Sequence, residues 1–113
     1  MHSIKLMPAL IVTAIALLAS IAQAAEFTVT QTDKTFKMKG EKVEKLTIHA
    51  GDTINFLNED PWVHNVFSLS AIKSFDLGSY PKGESKSVTF DKPGQADIEC
   101  SIHPQMQLKL EVK

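Results

Sequence analysis

The 113-residue chain contains no arginine; all 12 of its basic residues are lysine. Bidentate guanidinium recognition of phosphate or guanine is therefore excluded. Thirteen acidic residues bring the net charge to −1, which excludes a strongly basic nucleic-acid binder. A single cysteine rules out an internal disulfide, a four-cysteine metal site and the Cys-x-x-Cys-His attachment of a c-type haem. There is one Trp and one Tyr, and the five glycines form no phosphate-cradling loop. No segment sustains a 3.6-residue apolar period, and no repeat or low-complexity tract is present. The length is too short for a dinucleotide-binding fold with a second domain. What remains is one small domain whose chemistry rests on a few residues.

The first stretch stands apart from that domain. His2 and Lys5 precede residues 6–19, which are apolar except for Pro8 and Thr13. That run falls short of the roughly 20 residues a membrane-spanning helix needs. It ends at Ala22-Gln23-Ala24-Ala25, with small residues at the −3 and −1 positions of a signal-peptidase site. The pattern predicts a secretory signal peptide over residues 1–24, cleavage before Ala25 and export to the periplasm. An uncleaved anchor is the alternative reading. The mature chain of 89 residues then carries 11 lysines against 13 acidic groups, with no membrane span.

The remainder reads as strands. Phe27 and Val29 alternate with threonines, and Leu46 with Ile48, Ile54 with Phe56, Val88 with Phe90 and Ile98 with Cys100 repeat the two-residue period. Leu108, Leu110 and Val112 close the series. Ala50-Gly51-Asp52, Asn58 to Pro61 and Asp91 to Gly94 are turn signals. Residues 31–42 are polar and lysine-rich and are expected to form an irregular crossing, pinned by Phe36 and Met38. Residues 71–83 are expected to form a long loop over Phe75, Leu77 and Tyr80. The predicted fold is all-β, an antiparallel Greek-key sandwich of about seven or eight strands. Such a domain buries only roughly 60–65% of its unfolded surface, so a metal that ties strands together would help to hold it.

Cys100, His103 and Met106 fall at i, i+3 and i+6 in Glu99-Cys100-Ser101-Ile102-His103-Pro104-Gln105-Met106. They occupy the turn between the last two predicted strands, and His64 lies 36 residues upstream. Taken singly, each has a bland reading: a buried thiol, a surface histidine, a core methionine. His49 and Met38 are given those readings. Together the four offer one thiolate, two imidazoles and one thioether, the donor set of a trigonal His₂Cys copper centre with a long axial methionine. The thioether argues for copper over zinc.

On these residues the chain resembles the plastocyanin/azurin (cupredoxin) family of small blue copper proteins. The similarity runs over residues 26–113 through Ala50-Gly51-Asp52-Thr53-Ile54-Asn55-Phe56, Asn58-x-Asp60, His64-Asn65-Val66-Phe67 and Gly83-Glu84-Ser85. The short Cys-x₂-His-x₂-Met spacing resembles the amicyanin branch, and pseudoazurins carry two further residues before the methionine. The resemblance implies one type 1 copper ion held by His64, Cys100, His103 and Met106. It also implies that the Asn65 side chain ties the ligand strand to the cysteine loop. Glu99 stands where an aromatic is common, and Ile102 where a proline is common.

Four protein ligands leave no open position for a substrate, so the expectation is an electron carrier rather than an enzyme. Copper would cycle between Cu(II) and Cu(I) in a monomer that meets a transient redox partner, such as a c-type cytochrome or a periplasmic dehydrogenase. The docking patch is expected to comprise Ile102, Pro104 and Gln105 around His103. The alternative is a copper-binding or copper-tolerance protein without a carrier role. Against it, there is no methionine-rich or histidine-rich tract.

Overall fold

The computed structural model describes residues 23–113; the predicted signal peptide lies almost wholly outside the described residues. The chain forms β1 (Glu26–Thr32), β2 (Thr35–Met38), β3 (Glu41–Lys42), β4 (Lys45–Ile48) and β5 (Asp52–Asn58). It continues through β6 (His64–Ser70), β7 (Lys73–Tyr80), β8 (Ser85–Phe90), β9 (Gly94–Cys100) and β10 (Gln107–Val112). One sheet has the order β3-β2-β1-β5-β8 and the other β4-β10-β9-β6-β7. The expected all-β sandwich forms, with ten strands among the described residues instead of seven or eight.

The additional strands come from the two segments read as irregular. In the first, Asp33 and Lys34 adopt left-handed φ values of 53° and 55° and fold β2 back on β1, with Thr32 opposite Thr35. This two-residue turn matches the right-handed twist of the strands it joins. Phe36 and Met38 do pin this segment, but as the inward side chains of a short strand, and exposed β3 finishes the sheet. In the second segment, β7 is the edge strand beside β6, bent by an irregularity between Asn65 and Phe67. Its inward side chains are half-buried Phe75 and Leu77 and fully buried Tyr80. Two pairings, β1 with β5 and β4 with β10, are parallel.

Alternation builds the core. Ile54 and Phe56 of β5, Val88 and Phe90 of β8 and Val29 of β1 face Val66 of β6, Ala96 and Ile98 of β9 and Leu108, Leu110 and Val112 of β10. Each large aliphatic or aromatic side chain removed from water contributes about 1.5–3 kcal/mol, which the ordering of the chain largely offsets. The same alternation places His64 and Cys100. β6 and β9 are antiparallel neighbours with Val66 opposite Cys100, so His64 and Cys100 both point inward at the same end of the sheet.

At the opposite end, Gly94 opens β9 with φ +139°, and a Cβ there would lie 2.5 Å from Cγ2 of Ile72. Gly94→Ala therefore meets both a steric clash and a disfavoured backbone. We expect a loss of about 1–3 kcal/mol, read as a lower thermal midpoint. Combining it with Ile72→Ala should relieve the steric part only. A Gly94→Ala protein as stable as the parent would show that β9 can shift at this end.

Candidate metal centre

The site is assembled from a strand start, a strand end and the loop that follows it. His64 opens β6 and Cys100 closes β9, each fully buried. The loop after Cys100 is closed by its own backbone. Met106 N–H donates to the His103 carbonyl at 2.9 Å, and Cys100 N–H to the Met106 carbonyl at 3.4 Å. This closure carries half-buried His103 back over Cys100 and turns Met106 into the core.

Three donor atoms converge. The Cys100 Sγ lies 3.6 Å from His64 Nδ1 and 3.8 Å from His103 Nδ1, and the two Nδ1 atoms are 3.3 Å apart. The point equidistant from all three is about 2.1 Å from each, close to metal–nitrogen bonds of ~2.0–2.1 Å and metal–thiolate bonds of ~2.3 Å. Two imidazole nitrogens and a sulfur held this closely fit a soft cation. They have no other partner that would explain their convergence. Met106, fully buried at the end of the same loop, adds a thioether to the neighbourhood.

The tautomer of His64 is set from behind. Its Nε2 lies 2.6 Å from Oδ2 of buried Asp60. An ionised carboxylate only accepts, so Nε2 carries the hydrogen and Nδ1 presents its lone pair to the donor triangle. The same carboxylate accepts from the backbone N–H groups of Asp33 at 2.6 Å and Lys34 at 3.0 Å. Burial pushes the Asp60 carboxyl up, but the hydrogen bonds from Lys34, His64 and Asp33 outweigh it and hold the group below the usual carboxylate range.

Around Asp60 runs a buried polar network. Asp60 N–H donates to Asn58 Oδ1 at 2.8 Å, and Asn58 Nδ2 donates to the carbonyls of Trp62 at 2.9 Å and Tyr80 at 3.0 Å. The Tyr80 hydroxyl donates to Gln31 Oε1 at 2.6 Å, joining the two sheets. Sequence reasoning gives Asp60 no role. The signal for it is a carboxylate four residues before a histidine of the donor triangle. The expectation for Asn65 is corrected: its side-chain oxygen is buried without a hydrogen-bond partner, so no tie to the cysteine loop is made through it. The fixing of His64 comes from Asp60 instead.

The sequence pattern of the copper binding proteins of the plastocyanin/azurin family matches residues 25–113. The chain belongs to this family. It is thus a copper protein of the blue-copper type, and His64, Cys100 and His103 form the cluster such a metal requires. Amicyanin of Paracoccus denitrificans is 32% identical over 80 residues, which covers 68% of this chain. The chain spans about 60% of the length of that relative. Among solved structures, a copper-containing nitrite reductase from Thermus scotoductus superposes with a TM-score of 0.67 and 28% identity. The match covers 78% of this chain but 22% of the reductase. A reduced tryptophan-to-tyrosine variant of amicyanin also superposes at 0.67, with 24% identity over 84% of this chain and 88% of that one, and shares the fold.

Two outcomes follow from the geometry. Asp60→Asn should lower copper affinity by about 10–100-fold in a chelator competition, because the Nε2–H loses its charged acceptor. If affinity holds and only the thermal midpoint drops, Asp60 is a turn clamp and nothing more. In metal-free protein, burial, then the charges of His64 and Lys34, hold the His103 ring below its ordinary value near 6.5, against a smaller opposing effect of Asp60. A lowered folded value means that the unfolded chain takes up the proton first. Stability of the metal-free protein should therefore decline as pH falls below about 6.5 and level off below the folded value. His103→Asn should flatten this part of a thermal-midpoint profile; an unchanged slope would rule the linkage out.

Proposed function

We propose that the protein is a one-electron carrier of the periplasm, exported by residues 1–24, whose domain over residues 25–113 holds a single copper ion. His64, Cys100 and His103 supply the trigonal donors and Met106 the axial thioether. The observation that carries this reading is the closure of the site. His64, Cys100 and Met106 are fully buried, and His103 alone is half-buried. With three of the four donors sealed from water, the site reads as closed, unlike a catalytic metal with a water-bearing position. Bound copper supplies a reversible Cu(II)/Cu(I) couple.

The protein's part is to keep the donors in one arrangement for both oxidation states. Two of them sit on adjacent strands of a packed sheet, and Asp60 fixes the first imidazole. His103 points Nδ1 into the site, so its opposite ring edge is the way out. Around it, exposed Ile102 is joined by Trp62 and Val63 of the other ligand-bearing loop, at 49%, 42% and 44% exposure. With Pro104 and Gln105 they form a larger apolar face than the loop sequence implies. Such a face suits a small, transient interface with a c-type cytochrome or a periplasmic dehydrogenase. Among the described residues no helix is long and apolar enough to cross a membrane.

Stopped-flow mixing of the copper-loaded protein with a c-type cytochrome tests the proposal. Fast second-order exchange supports a carrier; absence of exchange with any donor or acceptor would assign the protein to copper storage. The ligand assignment has its own test. Cys100→Ser should bind copper without the intense visible band, and Met106→Leu should keep the colour while shifting the potential upward. A coloured Cys100→Ser protein, or a Met106→Leu potential equal to the parent's, would overturn the respective role.

A further inference from the structure

We propose that the redox partner presents an acidic face, and that lysines on one flank of the copper loop recognise it. The inference rests on the electron-carrier reading and concerns the partner's charge. Two small clefts adjoin the loop, of about 100 and 240 Å³. Lys34 and Lys42 line the first together with Gln105 and Met106; Lys42, Lys45 and Lys109 line the second with Gln105 and Gln107. The one acidic side chain in either is Glu44, whose Oε1 pairs with Lys42 Nζ at 3.0 Å. Lys109 lies opposite Asp97 across β9 and β10, so the remaining Lys34, Lys42 and Lys45 against Glu44 leave a local charge of about +2, although the whole chain carries −1.

The cationic region begins at the apolar face and ends sharply. Lys34 Nζ sits 5.0 Å from the centre of the Trp62 ring, which ties the first lysine to the docking face. On the far side of Gln107, Asp97 and Glu99 share a cleft with Lys109, so the positive field does not extend across β9. Elsewhere at this end, Asp33 pairs with Lys37 Nζ at 3.4 Å, Glu59 accepts from the Thr32 hydroxyl and Asp60 is buried. Charge beyond a Debye length of about 8–10 Å is screened, so a molecule docked on His103 feels the flank more than the net charge. A one-sided lysine flank beside an apolar face both speeds encounter with an acidic surface and fixes the orientation of docking.

The test uses one c-type cytochrome in two forms, its native basic form and the same protein succinylated on its lysines. Exchange with the copper-loaded protein is followed by stopped flow from low to high salt. The succinylated form should lose rate as salt rises, and the basic form should not. Lys34→Asn with Lys42→Gln and Lys45→Gln should slow the succinylated form by about three- to tenfold at low salt, with the copper spectrum unchanged and the effect gone at high salt. Asparagine is used at position 34 because it tolerates the left-handed backbone there. Lys92→Gln, at the far end of β9, removes one lysine away from the loop and should leave the rate as it was. A succinylated rate that rises with salt, or one equally sensitive to Lys92→Gln, would overturn the acidic partner and show that net charge governs. If neither form exchanges while the visible band is present, the carrier reading itself falls.

Discussion

The Asp60 carboxylate is the point on which the copper end of the molecule turns. It is buried, and a buried carboxylate persists in charged form only if its lone pairs are filled. Three donors fill them: two backbone N–H groups of the β1–β2 turn and the His64 ring. Each partner needs this contact for a different reason. Asp33 and Lys34 hold left-handed backbones that cost roughly 1–2 kcal/mol apiece for residues with a Cβ. Their N–H groups gain charge-assisted hydrogen bonds in return. His64 gains a fixed tautomer. A turn with no apolar content and a histidine in the core are thus stabilised by the same group.

From that anchor the site needs little further design. The two-residue period of a strand decides which side chains face inward, and two antiparallel neighbours decide which inward positions meet. His64 and Cys100 are the last inward positions of β6 and β9 at one end. Only His103 and Met106 require a loop, and that loop is short enough to be closed by two backbone hydrogen bonds. The donors are within metal-binding distance because the sheet that carries two of them is already packed into the core through its own Ile98, Val66 and Leu108.

The convergence of His64 with Cys100 and His103, and the sandwich, were legible in the sequence because most of their signal is local. Cys100, His103 and Met106 lie within seven residues, and each core strand shows its apolar alternation unaided. The strands that escaped are those for which alternation carries little information. β2 is only four residues, with Phe36 and Met38 alternating with Thr35 and Lys37, and β3 is the pair Glu41–Lys42, so neither is long enough to show a period, while β7 is a bent edge strand whose inward side chains are only half-covered until Tyr80. Asp60 and Trp62 escaped for another reason. Their roles depend on Asp33 and Lys34, 26 and more residues away, brought near by the β1–β2 turn. The Asn65 expectation failed because it came from a family pattern and its side-chain oxygen found no partner in this chain.

The two histidines show how one ligand type is divided between two tasks. Each directs Nδ1 into the donor triangle, so each has one further nitrogen to dispose of. In His64 that nitrogen is bound to an internal carboxylate, and the ring is sealed from water. In His103 it lies on the edge of a half-buried ring that points away from the donor triangle. In the carrier proposed above, the first arrangement resists displacement of the ligand and the second leaves an exit. Had both rings been anchored inside, the donor triangle would be as well formed but without an edge to offer a partner. Had both faced outward, proton and water would compete for both imidazoles. The asymmetry follows from chain position, since a strand start backed by a packed loop can be sealed and the middle of a six-residue loop cannot.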